Sequence, residues 1–264
     1  MIGLIDLDPL VHIVANVQWS SGNTDDEQKV RNHVKQFVNT IRKAGGCSSY
    51  LMSVQADGHQ NFRNEILPEY KGHRVKSEGI IRWKNSVLDE LESMGALMLH
   101  RYESDDALAI WANLYKDVLI VENDKDLIQI PGKHYNPYKR DLEKKFFNVT
   151  PEEAHKALWR QVITGDPTDM PNALCGMQGV GPKTAIKYLN EVDPVMYSMK
   201  AMHEYTKKYG MSEGLRRMAV TYDMVYMVKD VIKDTESMRI AQEIPVVYLD
   251  TTKDLFEAGD TLFS

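Results

Sequence analysis

Short apolar runs that end beside acidic residues recur along the first half of this chain. They cover residues 2–6, 50–54, 97–100 and 117–121, and they alternate with segments such as 30–41, whose apolar residues have helical spacing. A chain that alternates strands and helices in this order folds into an α/β structure with a mostly parallel central sheet flanked by helices. In such a sheet, ligands bind outside the carboxyl ends of the strands. We therefore expect the acids that follow these runs to gather at one functional edge.

The second half of the chain is predicted to be mainly helical. Thr150 to Glu153 forms a capping box with Pro151 at the first helical position, which is typical of a helix start. No internal repeat and no flexible linker is apparent between the halves. We expect an α/β region over residues 1–150 and a helical region over residues 151–264, packed as one unit.

Cysteine content and hydropathy restrict the class of protein. The two cysteines, Cys47 and Cys175, lie far apart in the chain, which excludes a disulfide scaffold and a Cys-rich metal site. No segment approaches the roughly 18 uncharged apolar residues that a membrane span needs. The first residues also lack the pattern of a signal peptide. We expect a cytoplasmic protein that does not contact a membrane.

Acidic residues recur in closely spaced sets at the ends of the predicted elements. Carboxylates gathered at one place raise each other's pKa, so such a cluster is stable only when cations neutralise it. Oxygen ligands select Mg²⁺ or Mn²⁺, and two such ions can promote hydrolysis of a phosphodiester. The alternative is that each set simply caps a helix. The sets are Asp6 with Asp8, Asp57, Glu103 with Asp105 and Asp106, Asp124 with Asp126, and Asp166 with Asp169.

Basic residues are concentrated in residues 62–84, although the chain as a whole is acidic. This segment has six basic and three acidic residues, whereas the chain has 32 basic and 38 acidic residues and a net charge of −6. A positive segment beside an acidic, metal-filled pocket suits a phosphate backbone. Tyr70, next to Lys71, adds a ring on which a base can stack. The alternative is a solvated, charged helix face.

A glycine-rich turn lies between residues 176 and 181, and Pro182 starts the helix that follows it. Exposed backbone N–H groups at this helix start form an anion site. Lys183 and Lys187 add positive charge beside it. The alternative is an ordinary turn between two helices.

Taken together and in this order, these motifs resemble the 5′ nuclease family. The family includes flap endonucleases, the 5′ nuclease domain of bacterial DNA polymerase I and bacteriophage 5′ to 3′ exonucleases. The resemblance covers roughly residues 2–190 and is most specific in the segment 62–74. The matching motifs are LID at 4–6, FR at 62–63 with YKGHR at 70–74, ESDDA at 103–107, DKDL at 124–127, GDPTD at 165–169 and GVGPKTA at 179–185.

The resemblance implies a PIN-like 5′ nuclease fold. The first region would be catalytic and carry a helical arch near residues 62–95. The second region would bind DNA and contain a helix-three-turn-helix near residues 170–190.

The resemblance also implies two Mg²⁺ or Mn²⁺ ions held by nine carboxylates. Without these nine acids the net charge of −6 becomes +3, which suits a DNA partner. Asp8 is an extra acid next to the first of them. The implied ligands are Asp6, Asp57, Glu103, Asp105, Asp106, Asp124, Asp126, Asp166 and Asp169.

Further roles follow from the same resemblance. Lys71 and Arg74 would lie near the scissile phosphate as catalytic residues, and Tyr70 would stack on the terminal unpaired base. Arg63 would bind substrate as part of the same segment. In the glycine turn, substrate binding would involve Gly179, Gly181, Lys183 and Thr184, with a K⁺ ion held by backbone carbonyls.

The implied activity is hydrolysis of phosphodiesters near 5′ ends in phage-type DNA replication or primer removal. The expected substrates are 5′ flaps, duplex 5′ ends and RNA·DNA hybrids. We expect a monomer whose C-terminal tail, with Leu262 and Phe263, docks a replication protein. Two alternatives are a haloacid-dehalogenase-type phosphatase, suggested by Asp6 and Asp8, and an inactive protein that binds DNA structures.

Overall fold

A six-stranded sheet forms the centre of the protein. The computed structural model describes residues 1–20, 26–56, 60–170 and 175–229, and of Leu142 only the backbone. The strand order is β3-β2-β1-β4-β5-β6. The first five strands along this chain run parallel, and β6 is antiparallel to β5. The strands are β1 Ile2–Asp6, β2 Ser49–Gln55, β3 Leu97–Leu99, β4 Val118–Val121, β5 Gly132–Tyr135 and β6 Phe146–Val149.

The structure confirms the predicted mostly parallel sheet and adds two strands that the sequence pattern did not indicate. Neither β5 nor β6 reads as a buried apolar run, because β5 contains His134 and β6 contains Asn148. His134 is nonetheless fully buried, and its Nε2 lies 2.8 Å from the carbonyl oxygen of Ile130. A local hydrogen bond therefore lets a polar residue occupy a core position that periodicity alone would not assign to a strand.

Helices cover both faces of the sheet. Helices α1 Asp8–Ser20, α2 Glu27–Gly45 and α4 Glu78–Ser93 pack on one face, and α5 Ser104–Leu114 packs on the other. Neighbouring strand residues alternate between these two cores: Leu4 belongs to the α5 core, and Ile5 belongs to the opposite one. Both faces are thus apolar, as a parallel sheet requires.

A third core lies in the helical part of the chain. It is built by α6 Pro151–Thr164, α7 Pro182–Asn190, α8 Tyr197–Tyr209 and α9 Met211–Val225, together with residues after the short helix α3 Arg63–Ile66. Short 3₁₀ turns cover Lys125–Gln129, Leu142–Lys144 and Pro194–Met196. In the part of the chain that is described, no helix has the length and apolarity needed to cross a bilayer.

Candidate active site

A cavity of about 260 Å³ opens at the carboxyl ends of the parallel strands. Eight carboxylate residues line it, among them Asp6, Glu103 and Asp124, which the sequence predicts at the carboxyl ends of parallel strands. Four cations, Arg63, Lys71, Arg74 and Lys84, line the same cavity. The acids are Asp6, Asp8, Glu103, Asp105, Asp124, Asp126, Asp166 and Asp169. Of the other two acids in the predicted sets, Asp106 is buried behind the cavity, and Asp57 lies outside the described residues.

The end of β1 and the start of α1 position two of these acids. Asp6 is the last residue of β1, and its carboxylate accepts the backbone N–H of Asp8 at 3.0 Å. Asp8 begins α1 and accepts the backbone N–H of Gln55, the last residue of β2, at 2.8 Å. These bonds fix the two carboxylates at the end of the sheet.

Three further acids lie at the start of α5. Glu103, Asp105 and Asp106 each have a carboxylate oxygen within 4.8 Å of the others. The backbone N–H of Glu103 donates to Asp106 at 3.2 Å, which helps to start the helix. Negative charge at this position is stabilised by the free N–H groups of the first turn. Helix capping and lining of the cavity therefore occur in neighbouring residues at the start of α5.

Turns hold the remaining acids. Asp124 accepts the backbone N–H of Asp126 at 2.8 Å, and Asp166 accepts the backbone N–H of Thr168 at 2.9 Å. The Oδ1 atom of Asp126 is buried and has no hydrogen-bond partner among the described residues. A buried carboxylate oxygen without a donor, beside seven other carboxylates, fits a hard divalent cation.

Two cations of the segment after α3 lie on the carboxylates. The ammonium of Lys71 pairs with Glu103 and lies 3.5 Å from Oδ2 of Asp169. The guanidinium of Arg74 pairs with the same aspartate. Lys71 has a left-handed backbone with φ 57°, a conformation that is strained for a residue with a side chain. The structure therefore places both predicted catalytic residues beside the predicted metal ligands.

Tyr70 and Arg63 are enclosed by protein. The ring of Tyr70 is 5% exposed, and its hydroxyl donates to Oε2 of Glu103 at 2.8 Å. Arg63 is 2% exposed and pairs with Glu103 at 3.0 Å and with Asp106 at 2.7 Å. The expected contacts of these two side chains with substrate remain predictions, and in this structure both side chains are bound to the carboxylates.

Burial and crowding shift the protonation of the acids. Burial, followed by the Asp8 carboxylate, raises the pKa of Asp6 to about 8. Burial raises the pKa of Asp8 to about 6, and burial with Asp124 raises that of Asp126 to about 7. Burial also opposes ionisation of Glu103, but Lys71 and Arg63 outweigh it and hold its pKa well below the usual range. Burial thus opposes ionisation of several acids of the cavity, whereas neighbouring cations keep Glu103 ionised.

The glycine turn precedes α7, as the sequence predicts. Gly176 and Gly179 have left-handed φ values of 81° and 76°. The N–H of Gln178 is held by the hydroxyl of Tyr209 at 2.7 Å, and its carbonyl accepts a hydrogen bond from Lys208. Among the described residues of this turn and α7, Gly179, Gly181, Lys183 and Thr184 are exposed. Their binding of substrate or K⁺ remains a prediction.

Sequence reasoning missed several residues of the cavity. Gln55 donates to Oε1 of Glu103 at 3.1 Å, and Gln161 of α6 reaches the cavity from the helical part. The end of α9 and the residues after it also reach the cavity, with Met224 and Met227 in its wall. No motif marks these positions, because each is an amide or an apolar residue whose role depends on tertiary packing.

The sequence matches the family of the 5′-3′ exonuclease, N-terminal resolvase-like domain, over residues 12–158. The 5′-3′ exonuclease of Aquifex aeolicus is 26% identical over 196 residues, covering 69% of this chain and 65% of that protein. DNA polymerase I of Deinococcus radiodurans is 27% identical over 239 residues, covering 81% of this chain and 24% of the polymerase. The matches therefore span less than two thirds of these curated relatives.

The fold resembles that of a solved bacteriophage nuclease. The bacteriophage T5 flap endonuclease, in a pseudo-enzyme-product complex with DNA and metal ions, aligns with a TM-score of 0.60. The sequence identity is 14%, and the alignment covers 99% of both chains. At this identity the likeness establishes the fold, with its mostly parallel sheet and the helical part that follows.

Proposed function

Because the chain belongs to the 5′-3′ exonuclease family with the N-terminal resolvase-like domain, we propose that it is a divalent-metal-dependent 5′ nuclease. Its reaction is hydrolysis of phosphodiesters near the 5′ ends of branched or duplex DNA. The observation that carries this proposal is the convergence of eight carboxylate residues at one cavity, with Lys71 and Arg74 beside them. Curated relatives named 5′-3′ exonuclease support the reaction class.

The acids of the cavity would hold two divalent ions. The donor set consists of carboxylate oxygens, which Mg²⁺ and Mn²⁺ prefer, and it includes the unpartnered Oδ1 of Asp126. When bound, the ions would polarise the scissile phosphate and make the attacking water more acidic. Metal ions in the T5 flap endonuclease complex support this assignment. The ligands would be Asp6, Glu103, Asp105, Asp124, Asp126, Asp166 and Asp169, with Asp8 as a further candidate from the structure.

Lys71 and Arg74 would stabilise negative charge that develops on the phosphate. Both side chains reach the carboxylates, so a phosphate bound at the cavity would lie within their range. Preorganised cations at a developing charge contribute strongly to catalysis. The side-chain exposure of Lys71 is 25%, so it belongs to the wall of the cavity and not to the outer surface.

The helical part would bind the duplex. Helix α7 begins at Pro182 after Gly181, which provides no side-chain cap for the first N–H groups. The N–H of Thr184 already donates to the carbonyl of Gly181 at 3.0 Å, so the N–H and ammonium of Lys183 and the hydroxyl of Thr184 are the groups that suit phosphate oxygens. K⁺ at this turn is a finer proposal, and a K⁺-dependent change in duplex affinity would test it.

Substrates and context complete the proposal. We expect cleavage of 5′ flaps, duplex 5′ ends and RNA·DNA hybrids, by a monomer acting in DNA replication of the phage type. Docking of a replication protein through Leu262 and Phe263 falls on residues outside the described part of the chain. The two alternatives are not favoured, because the family match does not support a phosphatase and the acids needed for catalysis converge.

Cleavage of a 5′-labelled flap and of a blunt duplex tests the reaction class. Wild type and Asp124→Asn are compared in Mg²⁺ and in EDTA. We expect short 5′ products from the wild type in Mg²⁺ only, and product length separates exonuclease from flap cleavage. Asp124→Asn should lose turnover and keep most of its DNA affinity.

Asp89→Asn is the matched control, because Asp89 is exposed on α4 and lies outside the cavity. It should cleave like the wild type. Retained DNA binding without cleavage in Mg²⁺ or Mn²⁺ would instead favour a protein that binds DNA structures. Hydrolysis of small phosphate esters without cleavage of DNA would favour a phosphatase.

A further inference from the structure

Arg63 is a buried arginine whose hydrogen-bonding groups are all used inside the protein. Its Nη1 donates to Glu103 at 3.0 Å and to Asp106 at 2.7 Å, and its Nη2 donates to Asp106 at 2.9 Å. Its Nε and Nη2 also donate to the carbonyls of Met224 at 3.0 Å and Tyr226 at 2.9 Å. Because the guanidinium has five N–H donors, it has no donor left for a phosphate.

Asp106 is saturated in the same way. Each of its two oxygens accepts one hydrogen bond from Arg63. Oδ2 also accepts the backbone N–H of Glu103 at 3.2 Å, and Oδ1 accepts that of Val228 at 3.0 Å. Asp106 is 0% exposed and is not part of the cavity wall. Four donors fill its acceptor positions, which leaves no oxygen for a metal ion.

Arg63 and Asp106 determine how the Glu103 carboxylate is oriented. Its Oε2 accepts hydrogen bonds from Arg63 and Tyr70, whereas Oε1 accepts from Gln55 and Lys71. Oε2 therefore binds two buried partners, whereas one of the partners of Oε1, Lys71, has a partly exposed side chain.

We propose that Arg63, through Asp106, is a positioning residue that holds the Glu103 carboxylate in its metal-binding orientation and joins it to the backbone of residues 224–228. This inference rests on the proposed function, because it concerns a metal ligand. It replaces two expectations from sequence: Arg63 supports the site without touching substrate, and Asp106 supports it without touching metal. The end of α9 and the residues that follow it then become a structural part of the active site.

The planar fork of arginine is essential to this role. Two N–H groups pair with Asp106, and two others reach separate backbone carbonyls. Lysine keeps the charge but presents one compact ammonium on a flexible chain, so it cannot make this set of contacts. Arg63→Lys therefore removes the positioning and keeps the compensating charge.

The test compares Arg63→Lys with Arg31→Lys. Arg31 also pairs with a buried carboxylate, Glu90, at 3.4 Å, but it lies on α2 and is not among the residues of the cavity wall. Mn²⁺ affinity is measured without DNA by titration calorimetry, and thermal unfolding is measured in EDTA. Replacing groups that orient metal ligands typically lowers metal affinity or activity about 10- to 100-fold.

We expect Mn²⁺ affinity to fall about 10-fold or more in Arg63→Lys and to stay within about twofold of wild type in Arg31→Lys. DNA affinity in EDTA should match wild type in both. Equal Mn²⁺ affinity in Arg63→Lys and wild type would overturn the inference, whatever its unfolding temperature. If the wild type binds no Mn²⁺, the proposed function and this inference both fail.

Asp106→Asn completes the design and also serves if Arg63→Lys does not fold. If Asp106 acts through Arg63, the sum of the affinity losses in the two single variants will be larger than the loss in the double variant. Losses that add fully would show Asp106 to be an independent metal ligand and would overturn its assignment. Unchanged Mn²⁺ affinity in Asp106→Asn would also overturn the assignment of Asp106 as a residue that supports the metal site.

Discussion

Lys71 and Asp169 are joined twice. The backbone N–H of Lys71 donates to the carbonyl of Asp169 at 3.0 Å, and its ammonium lies 3.5 Å from the Asp169 carboxylate. The backbone bond holds Lys71 in its left-handed conformation, with φ 57°. The segment after α3 is therefore fixed to the turn after α6, and its cation is directed at the carboxylates.

Lys71→Ala should slow the chemical step more than it weakens binding. Loss of one preorganised group that stabilises developing charge typically lowers the rate about 100- to 1,000-fold. Single-turnover cleavage with saturating enzyme measures this rate, and binding is measured in parallel in Ca²⁺. Lys76→Ala is the control, because Lys76 is an exposed lysine of the same segment. An unchanged single-turnover rate in Lys71→Ala would end its catalytic assignment.

Asp6→Asn should stabilise the metal-free protein at pH 8 more than at pH 5. Burial, with Asp8, raises the pKa of Asp6 from 3.8 to about 8. Between these values the folded state binds more protons than the unfolded state, so the Asp6 contribution to the free energy of unfolding falls as pH rises. Asparagine does not ionise and removes this dependence.

Thermal unfolding in EDTA across pH 5 to 8.5 measures the Asp6 effect. We expect the unfolding temperature of Asp6→Asn to exceed that of wild type at pH 8, and the difference to shrink at pH 5. Comparison of the two proteins at each pH cancels His12 and His155, whose pKa values burial lowers. A difference that does not vary with pH would refute the prediction.

The sheet and the edge that carries the site were predictable from sequence. Runs such as 2–6 are buried on both faces, so they read as continuous apolar segments, and Asp6 marks the end at which they meet. Parallel pairing follows from the alternation with helices and carries the other acids to the same edge. Local patterns suffice here because buried strands appear in the sequence as continuous apolar runs. The alternation of these runs with helices indicates the strand direction.

The partners of the charged side chains were not predictable. Spacing indicates that Asp105 and Asp106 share a turn, but it does not show that one faces the cavity and the other faces Arg63. That distinction depends on the contact between Arg63 and Met224, which are 161 residues apart. The sequence pattern likewise does not identify β5 as a strand, because that assignment depends on tertiary packing around His134.

Gly176→Ala should destabilise the protein strongly. A Cβ atom at Gly176 would overlap the carbonyl of Thr164 and lie 2.5 Å from the backbone nitrogen of Gly165, and its φ is 81°. We expect a loss of roughly 3 kcal/mol or more in the free energy of unfolding, because steric overlap adds to backbone strain. Gly179→Ala is the control, since φ is 76° but nothing lies within 4 Å of the added Cβ. It should lose about 1 kcal/mol. Urea unfolding in EDTA compares them, and equal losses would contradict the overlap argument.

Lys183→Ala should weaken duplex binding without slowing cleavage at saturation. Lys183 is exposed in the first turn of α7, a helix start to which Gly181 adds no side-chain cap. A lysine that neutralises one phosphate releases counterions on binding, so its removal should lower the slope of log affinity against log salt by about 1. Lys43 provides the control, because α2 ends at Gly45, just before β2 begins, and so places Lys43 at the opposite edge of the sheet. Binding to a blunt duplex in Ca²⁺ from 50 to 200 mM salt, by fluorescence anisotropy, measures both variants. Equal salt slopes for Lys183→Ala and Lys43→Ala would remove α7 from the DNA-binding surface, whereas a lower slope in Lys183→Ala alone would assign one phosphate contact to it.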